Sequence, residues 1–111
     1  MKQLNFYPYY ADLLQLGRKK TTLRVSSSRP FDVGDAVRIT TGWNESTATI
    51  IRSGRIEAIY PRKIQDLTVE DLDGESPDCL SPDAARLVLS CIYREALSPG
   101  NEVWVVKFAY D

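Results

Sequence analysis

The chain has 111 residues, 43% of them hydrophobic and 26% charged, proportions expected of one soluble globular domain with a single core. Its formal net charge of −1 excludes a broad electrostatic attraction to a phosphate backbone. The absence of histidine excludes Ser-His-Asp and Cys-His catalysis and imidazole zinc sites, and no apolar run reaches the length of a membrane span, so a cytoplasmic protein is the expectation.

In chain order, "KQLNF" reads as a short strand and "YYADLLQLG" as a helix, with Tyr10, Leu13 and Leu14 at helical spacing. Gly17 stands just past its end as a left-handed cap. "TTLRV" is β-branched and alternating, a strand. "SSSRPFDVGD" is a loop that turns at Val33-Gly34-Asp35 into the strand "AVRIT", where Val37 and Ile39 alternate with polar neighbours. "TGWNES" is a hairpin connection, and "TATIIRSGRIEAIYP" is a long strand interrupted at Ser53-Gly54 by a bulge or sharp bend.

"DLTVEDLDGES" reads as a short acidic helix and loop. "SPDAARLVLSCIYREA" is the clearest helix, with Ser81 as N-cap, Pro82 in the first turn and an apolar stripe through Ala85, Leu89, Ile92 and Tyr93. "EVWVVKFAY" closes the chain as a strand with Val103, Val105, Lys107 and Ala109 on one face. Five or six strands, one long and curved, with two or three helices predict an α+β fold: a small, partly closed β-barrel decorated by helices, in one domain spanning 1–111.

Charge is segregated. Arg18, Lys19, Lys20, Arg24 and Arg29 form one cluster, and Asp66, Glu70, Asp71, Asp73, Glu75 and Asp78 another. They are either two separate solvated faces or, if folding joins them, a mixed-charge cleft. Cys79 and Cys91 lack CxxC spacing, and Cys91, inside the apolar helical pattern, is expected to be buried. Any catalysis therefore falls to Lys, Thr or Ser, Tyr, Arg and carboxylates.

The segment "LQLGRKKTTLRV" holds the chemistry-bearing candidates. Thr22 and Arg24, two apart on a strand, share a face. Lys20 shares that parity, whereas Lys19 joins them only from a turn ahead of the strand. On spacing alone the segment is either an exposed strand face or a functional corner.

"GRKKTTLR" fits Gly-x-Lys-x-x-Thr-x-Arg through Gly17, Lys19, Thr22 and Arg24, and resembles the signature of the ASCH domain, a PUA-like barrel. "NFYPYYADLLQLG", "FDVGDAVRI", "LTVEDLDGES", the helix ending "IY" and "VWVVKF" follow the same order as that family's elements, so the resemblance covers nearly the whole chain. It points to the small N4-acetylcytidine amidohydrolases, which cleave the acetyl amide from the exocyclic nitrogen of cytidine. The family's catalytic lysine and threonine fall on Lys19 and Thr22, and its arginine on Arg24, a substrate-binding residue together with Gly17. Its glutamate falls in the acidic segment, with Glu75 the best match and Glu70 and Asp78 as rivals.

The resemblance thus implies Thr22 as nucleophile, Lys19 as its base, Glu75 as acid and Arg24 on the oxyanion or the pyrimidine carbonyl, the logic of Ser-Lys hydrolases. It implies a nucleoside substrate, no cofactor and no metal, with RNA as a further partner. Tyr7, Tyr9 and Trp43 are candidates for stacking on the base. The alternatives are a non-catalytic module binding RNA or a modified nucleotide, and a protein-interaction domain.

Overall fold

The computed structural model describes residues 1–111. Its elements are β1 (Lys2–Phe6), α1 (Ala11–Gln15, after a 3-10 turn at Pro8–Tyr10), β2 (Thr21–Arg24), β3 (Ala36–Thr41), β4 (Thr49–Lys63), α2 (Val69–Leu72), α3 (Pro82–Tyr93) and β5 (Glu102–Tyr110). The strands form one sheet in the order β1-β3-β4-β5-β2. The β1–β3 pair is parallel and the other pairs are antiparallel. The sheet curls into a half-barrel, so the α+β expectation holds with five strands and three helices. No helix is long and apolar enough to cross a membrane.

The curl has a local cause. β4 pairs with β3 along its first half and with β5 along its second, and the register slips between Ile39 and Thr40 and again between Ile56 and Ala58. Bulges of this kind increase local twist and bend a sheet towards closure. The expected interruption at Ser53-Gly54 does not occur: β4 runs through it without a break. Gly54 is paired on both sides, and a Cβ there would overlap Ala109 O and stand 3.1 Å from Ile39 Cδ1. Close backbone approach, rather than a bend, requires glycine at this position.

Two apolar layers result. Leu4, Phe6, Val37, Ile39, Ile56, Val106 and Phe108 form one of them. In the other, Leu23, Val103 and Val105 pack with Ala85 and Leu89 of α3, with Ile64, Leu67, Leu72 and Leu97 around them. β5 is therefore buried on both faces, which is why "VWVV" is a continuous apolar run instead of an alternation. Each such side chain contributes about 1.5–3 kcal/mol by leaving water.

Ser81 caps α3 as expected, its Oγ accepting from Ala84 N at 3.1 Å, and Arg94, at φ 52°, ends the helix. Ala85 and Leu89 are buried, but Cys91 is exposed and Cys79 is the buried cysteine, reversing the expectation for Cys91. Two residues correspond to roughly 200° around a helix, which carries position 91 away from the face that Leu89 buries.

Asp71 links α2 to β4. Its carboxylate accepts from Tyr60 Oη (2.6 Å), Arg62 Nε (3.2 Å) and Thr68 N (3.0 Å), while Thr68 Oγ1 accepts from Asp71 N to complete a capping box. Burial alone would raise this carboxyl, but the hydrogen bonds from Tyr60, Thr68 and Arg62 outweigh it and hold the group below its ordinary value. A depressed carboxyl stabilises the fold above its unfolded value and loses that contribution as pH falls through the folded one. Asp71→Asn is therefore expected to cost about 1–3 kcal/mol at neutral pH. The gap from the parent should close as urea unfolding is repeated into the acid range; a gap independent of pH would contradict the assignment.

Candidate active site

The half-barrel is open between its edge strands, β1 and β2, and the site lies at this seam. Behind α1 the chain reverses at Gly17, where φ is 70°, and Arg18 N donates to Leu13 O at 2.9 Å. β2 does not begin until Thr21, so Lys19 is still in the turn and aims inwards, 3% exposed, while Lys20 is exposed to solvent. Strand parity alone would have favoured Lys20. The late start of the pleat turns Lys19, and not Lys20, into the cavity.

The acidic loop reaches this corner through backbone contacts. Gly74 O accepts from Lys20 N (2.7 Å) and Thr21 N (3.1 Å), and Thr21 Oγ1 donates to Asp73 O. Gly74 has φ 84°, and a Cβ on it would stand 3.1 Å from Lys20 Cβ. From β5, Lys107 Nζ donates to the carbonyls of Glu70, Asp71 and Asp73 at 2.8–3.0 Å, gathering the loop around one cation. The basic and acidic segments thus do meet, yet they form a single ion pair with each other, Lys19 with Glu75.

That pair is buried, the side chains being 4% and 2% exposed. Lys19 Nζ donates to Glu75 Oε1 and to Thr21 O (3.1 Å), with the rings of Tyr10 and Phe6 at 5.1 and 5.5 Å. Ser76 N also donates to Oε1 (2.8 Å), so two donors converge on one oxygen, with the Ser76 hydroxyl 3.1 Å away and donating to the nearer Asp78 Oδ1. Oε2 has no partner within the protein. Since every fully buried side-chain polar atom has one, Oε2 keeps an open path to the cavity. Burying two charges costs several kcal/mol per ion before their attraction is counted, so such a pair is weak evidence for stability and a reason to consider chemistry.

Thr22 faces the same cavity, 5% exposed. Its Oγ1 accepts from Arg24 Nε at 3.1 Å, and Arg24 Nη2 donates to Asn5 O of β1 at 2.7 Å, so the guanidinium bridges the open seam from β2. It also lies 4.8 Å over the Phe6 ring. Burial draws Arg24 below its ordinary value, but a guanidinium starts so high that it stays charged.

Two neighbours are set aside by their environments. Burial, helped by Glu75 and Asp78, pushes the Cys79 thiol up to about 12, so it is not a thiolate near neutrality. Burial would raise the Asp78 carboxyl, but hydrogen bonds from Ser76 Oγ (2.6 Å) and Tyr10 Oη (3.0 Å) prevail and hold it low, which suits it to remain charged rather than to give a proton. Tyr10 in turn is raised, by burial first and then by Asp78, and stays a phenol. Glu70 and Asp78 do not line the cavity; Glu75 does.

The cavity holds about 320 Å³ and has two unlike walls. One is polar: Lys19, Thr22, Arg24, Glu75 and Asn5. The other is apolar, built by Leu23 and by Val88, Leu89, Ile92 and Tyr93 of α3. A small planar ring with one polar edge fits such a space. Gly17 and Lys20 lie outside it, on a separate hollow beside Arg52 and Lys107. Tyr7 lines the cavity, whereas Tyr9 and Trp43 are 76% and 63% exposed and stand nearly edge-to-face, 5.4 Å apart. Sequence reasoning missed Asn5, Phe6, Glu45 and the α3 wall. Phe6 carried only a core signal, and nothing in "WNES" marks a residue that reaches a distant cleft.

No protein-family model matches the sequence, and no curated protein matches it. Solved structures do. An ASCH domain from Lactobacillus crispatus JV V101 superposes with a TM-score of 0.71 at 13% identity, over 98% of this chain and 79% of that one. A protein of the DUF984 family from Enterococcus faecalis V583 gives 0.66 at 14% identity, over 92% and 69%. A mutant ASCH protein from Zymomonas mobilis gives 0.61 at 14% identity, over 98% and 68%. At these identities the likeness is one of fold.

Proposed function

With the ASCH-domain fold as the frame, we propose that this chain is an amidohydrolase that removes the acetyl group from N4-acetylcytidine or a related acylated cytosine. The observation that carries this reading is the buried Lys19–Glu75 pair sharing one cavity with Thr22 and Arg24. A proton moved within the pair, from Nζ to the Glu75 carboxylate, yields a neutral amine and a neutral carboxyl: a base and an acid generated together with no change in net charge.

In acylation, Lys19 Nζ takes the Thr22 hydroxyl proton as Oγ1 attacks the acetyl carbonyl carbon. Arg24, already donating to Oγ1, stabilises the negative charge that develops. Glu75 gives its proton to the exocyclic nitrogen, the C–N bond breaks and the cytosine amine departs. In deacylation, Glu75 takes a proton from the attacking water, and the Lys19 ammonium returns one to Thr22 Oγ1 as acetic acid leaves. The acid then ionises in water, and the pair is again neutral as at the start of acylation; return of the proton from Glu75 to Lys19 restores the ion pair. In the resting site Lys19 Nζ donates to Glu75 and Thr21 O rather than to Thr22 Oγ1, and the base–nucleophile contact forms on substrate binding.

A second reading rests on the exposed Tyr9 and Trp43, which pack on Tyr7 of the cavity lining: a module that binds a modified nucleotide or RNA without chemistry. Incubation with N4-acetylcytidine separates the two. The hydrolase releases cytidine and acetate in equal amounts; binding without release at high enzyme concentration assigns the module.

A further inference from the structure

The cavity has a floor and a mouth. Lys19 and Thr22 are buried at its base, whereas Glu45, in the β3–β4 connection, lines it from the exposed surface. Of the four charged side chains lining the cavity, Lys19 and Glu75 hold each other and Arg24 is bonded to Thr22 and Asn5. The Glu45 carboxylate has no hydrogen-bond or ion-pair partner, and no unengaged cation lines the cavity.

Its position is nevertheless built. Gln3 Nε2 donates to Glu45 O at 3.1 Å, tying the loop to β1. Asn44 Oδ1 accepts from Ser46 Oγ (2.7 Å), Thr47 Oγ1 (3.0 Å) and Thr47 N (3.2 Å), which closes the turn around Glu45.

In a cytosine ring, C4 and N1 are opposite each other. A base whose exocyclic nitrogen meets Thr22 and Glu75 on the floor therefore turns its N1 substituent towards the mouth. We propose that Glu45 is a specificity-determining residue. Its carboxylate accepts the two vicinal hydroxyls of a ribose and repels a phosphate, which makes the substrate class a neutral ribonucleoside rather than a nucleotide or RNA. This rests on the cytosine reading of the cavity given above.

Calorimetric titration with cytidine, 2′-deoxycytidine, cytosine and cytidine 5′-monophosphate tests it without requiring turnover. The parent protein is expected to bind cytidine about tenfold more tightly than 2′-deoxycytidine or cytosine, the loss that accompanies a hydrogen bond to a charged group. At low salt the monophosphate binds more weakly than cytidine. Glu45→Ala erases the preference for ribose, and Glu45→Gln narrows the gap against the phosphate by removing the charge. Equal binding of all four ligands, or preferences unchanged in Glu45→Ala, overturns the role of Glu45 and leaves the cytosine site standing. Failure of every ligand to bind overturns the cytosine reading itself, and this role with it.

Discussion

Lys19→Met is expected to abolish turnover of N4-acetylcytidine and to lower fold stability together, while the double variant Lys19→Met, Glu75→Gln recovers stability and no activity. The single variant removes the base that Thr22 requires and strands a carboxylate that is only 2% exposed. An uncompensated buried charge costs about 3–5 kcal/mol, whereas removing both members of a buried pair is often close to neutral. The amide oxygen introduced by Glu75→Gln still accepts from Ser76 N, and the Ser76 hydroxyl keeps Asp78 Oδ1, so the double variant leaves neither donor stranded. Urea unfolding read beside single-turnover kinetics measures both quantities. Turnover retained in the double variant would remove the pair from the mechanism. Stability lost additively would mean that the two charges are not energetically coupled.

Thr22→Ala is expected to reduce turnover about a thousandfold or more while leaving the chain folded, because a small hydroxyl is lost from a cavity wall and only Arg24 Nε loses its acceptor, at a cost of about 1–3 kcal/mol. Arg24 Nη2 keeps its bond to Asn5 O, so the seam stays bridged. Thr22→Ser restores the hydroxyl at the same Cβ and is expected to recover a substantial part of the rate. The discriminating measurement is mass spectrometry of quenched reactions. A nucleophilic Thr22 carries the mass of one acetyl group during turnover, and Thr22→Ala never does. Normal turnover in Thr22→Ala would leave Arg24 and the Lys19–Glu75 pair acting on a bound water instead, a different reaction path in the same cavity.

How much of this was written in one dimension differs by feature. Local signals were sufficient for the strands, for Gly17 as a left-handed cap and for Ser81-Pro82 as the start of α3, because each rests on interactions within a few residues. The same locality explains two errors. Gly54 looked like a bend because glycine in a strand has two common causes, and only the position of Ala109 O, far along the chain, shows that close approach is the operative one. Cys91 looked buried because the apolar character of α3 runs around much of its circumference, and only the packed sheet shows which side of it is covered.

For the site, the sequence by itself determined the inventory: no histidine, a Lys-Lys-x-Thr-x-Arg corner, an acidic loop and no excess of charge. It also determined that Thr22 and Arg24 share a face, since strand parity is a property of the backbone alone. The tertiary structure decided that Lys19 and not Lys20 lines the cavity, and it decided the approach of Glu75 across the chain, the bridging of the seam by Arg24 and the presence of Glu45 in the cavity wall. The physical reason is the same in each case. These are encounters between segments tens of residues apart, and they depend on where β2 begins, on how tightly Gly74 lets the acidic loop dock and on how far the sheet curls before its edges stop.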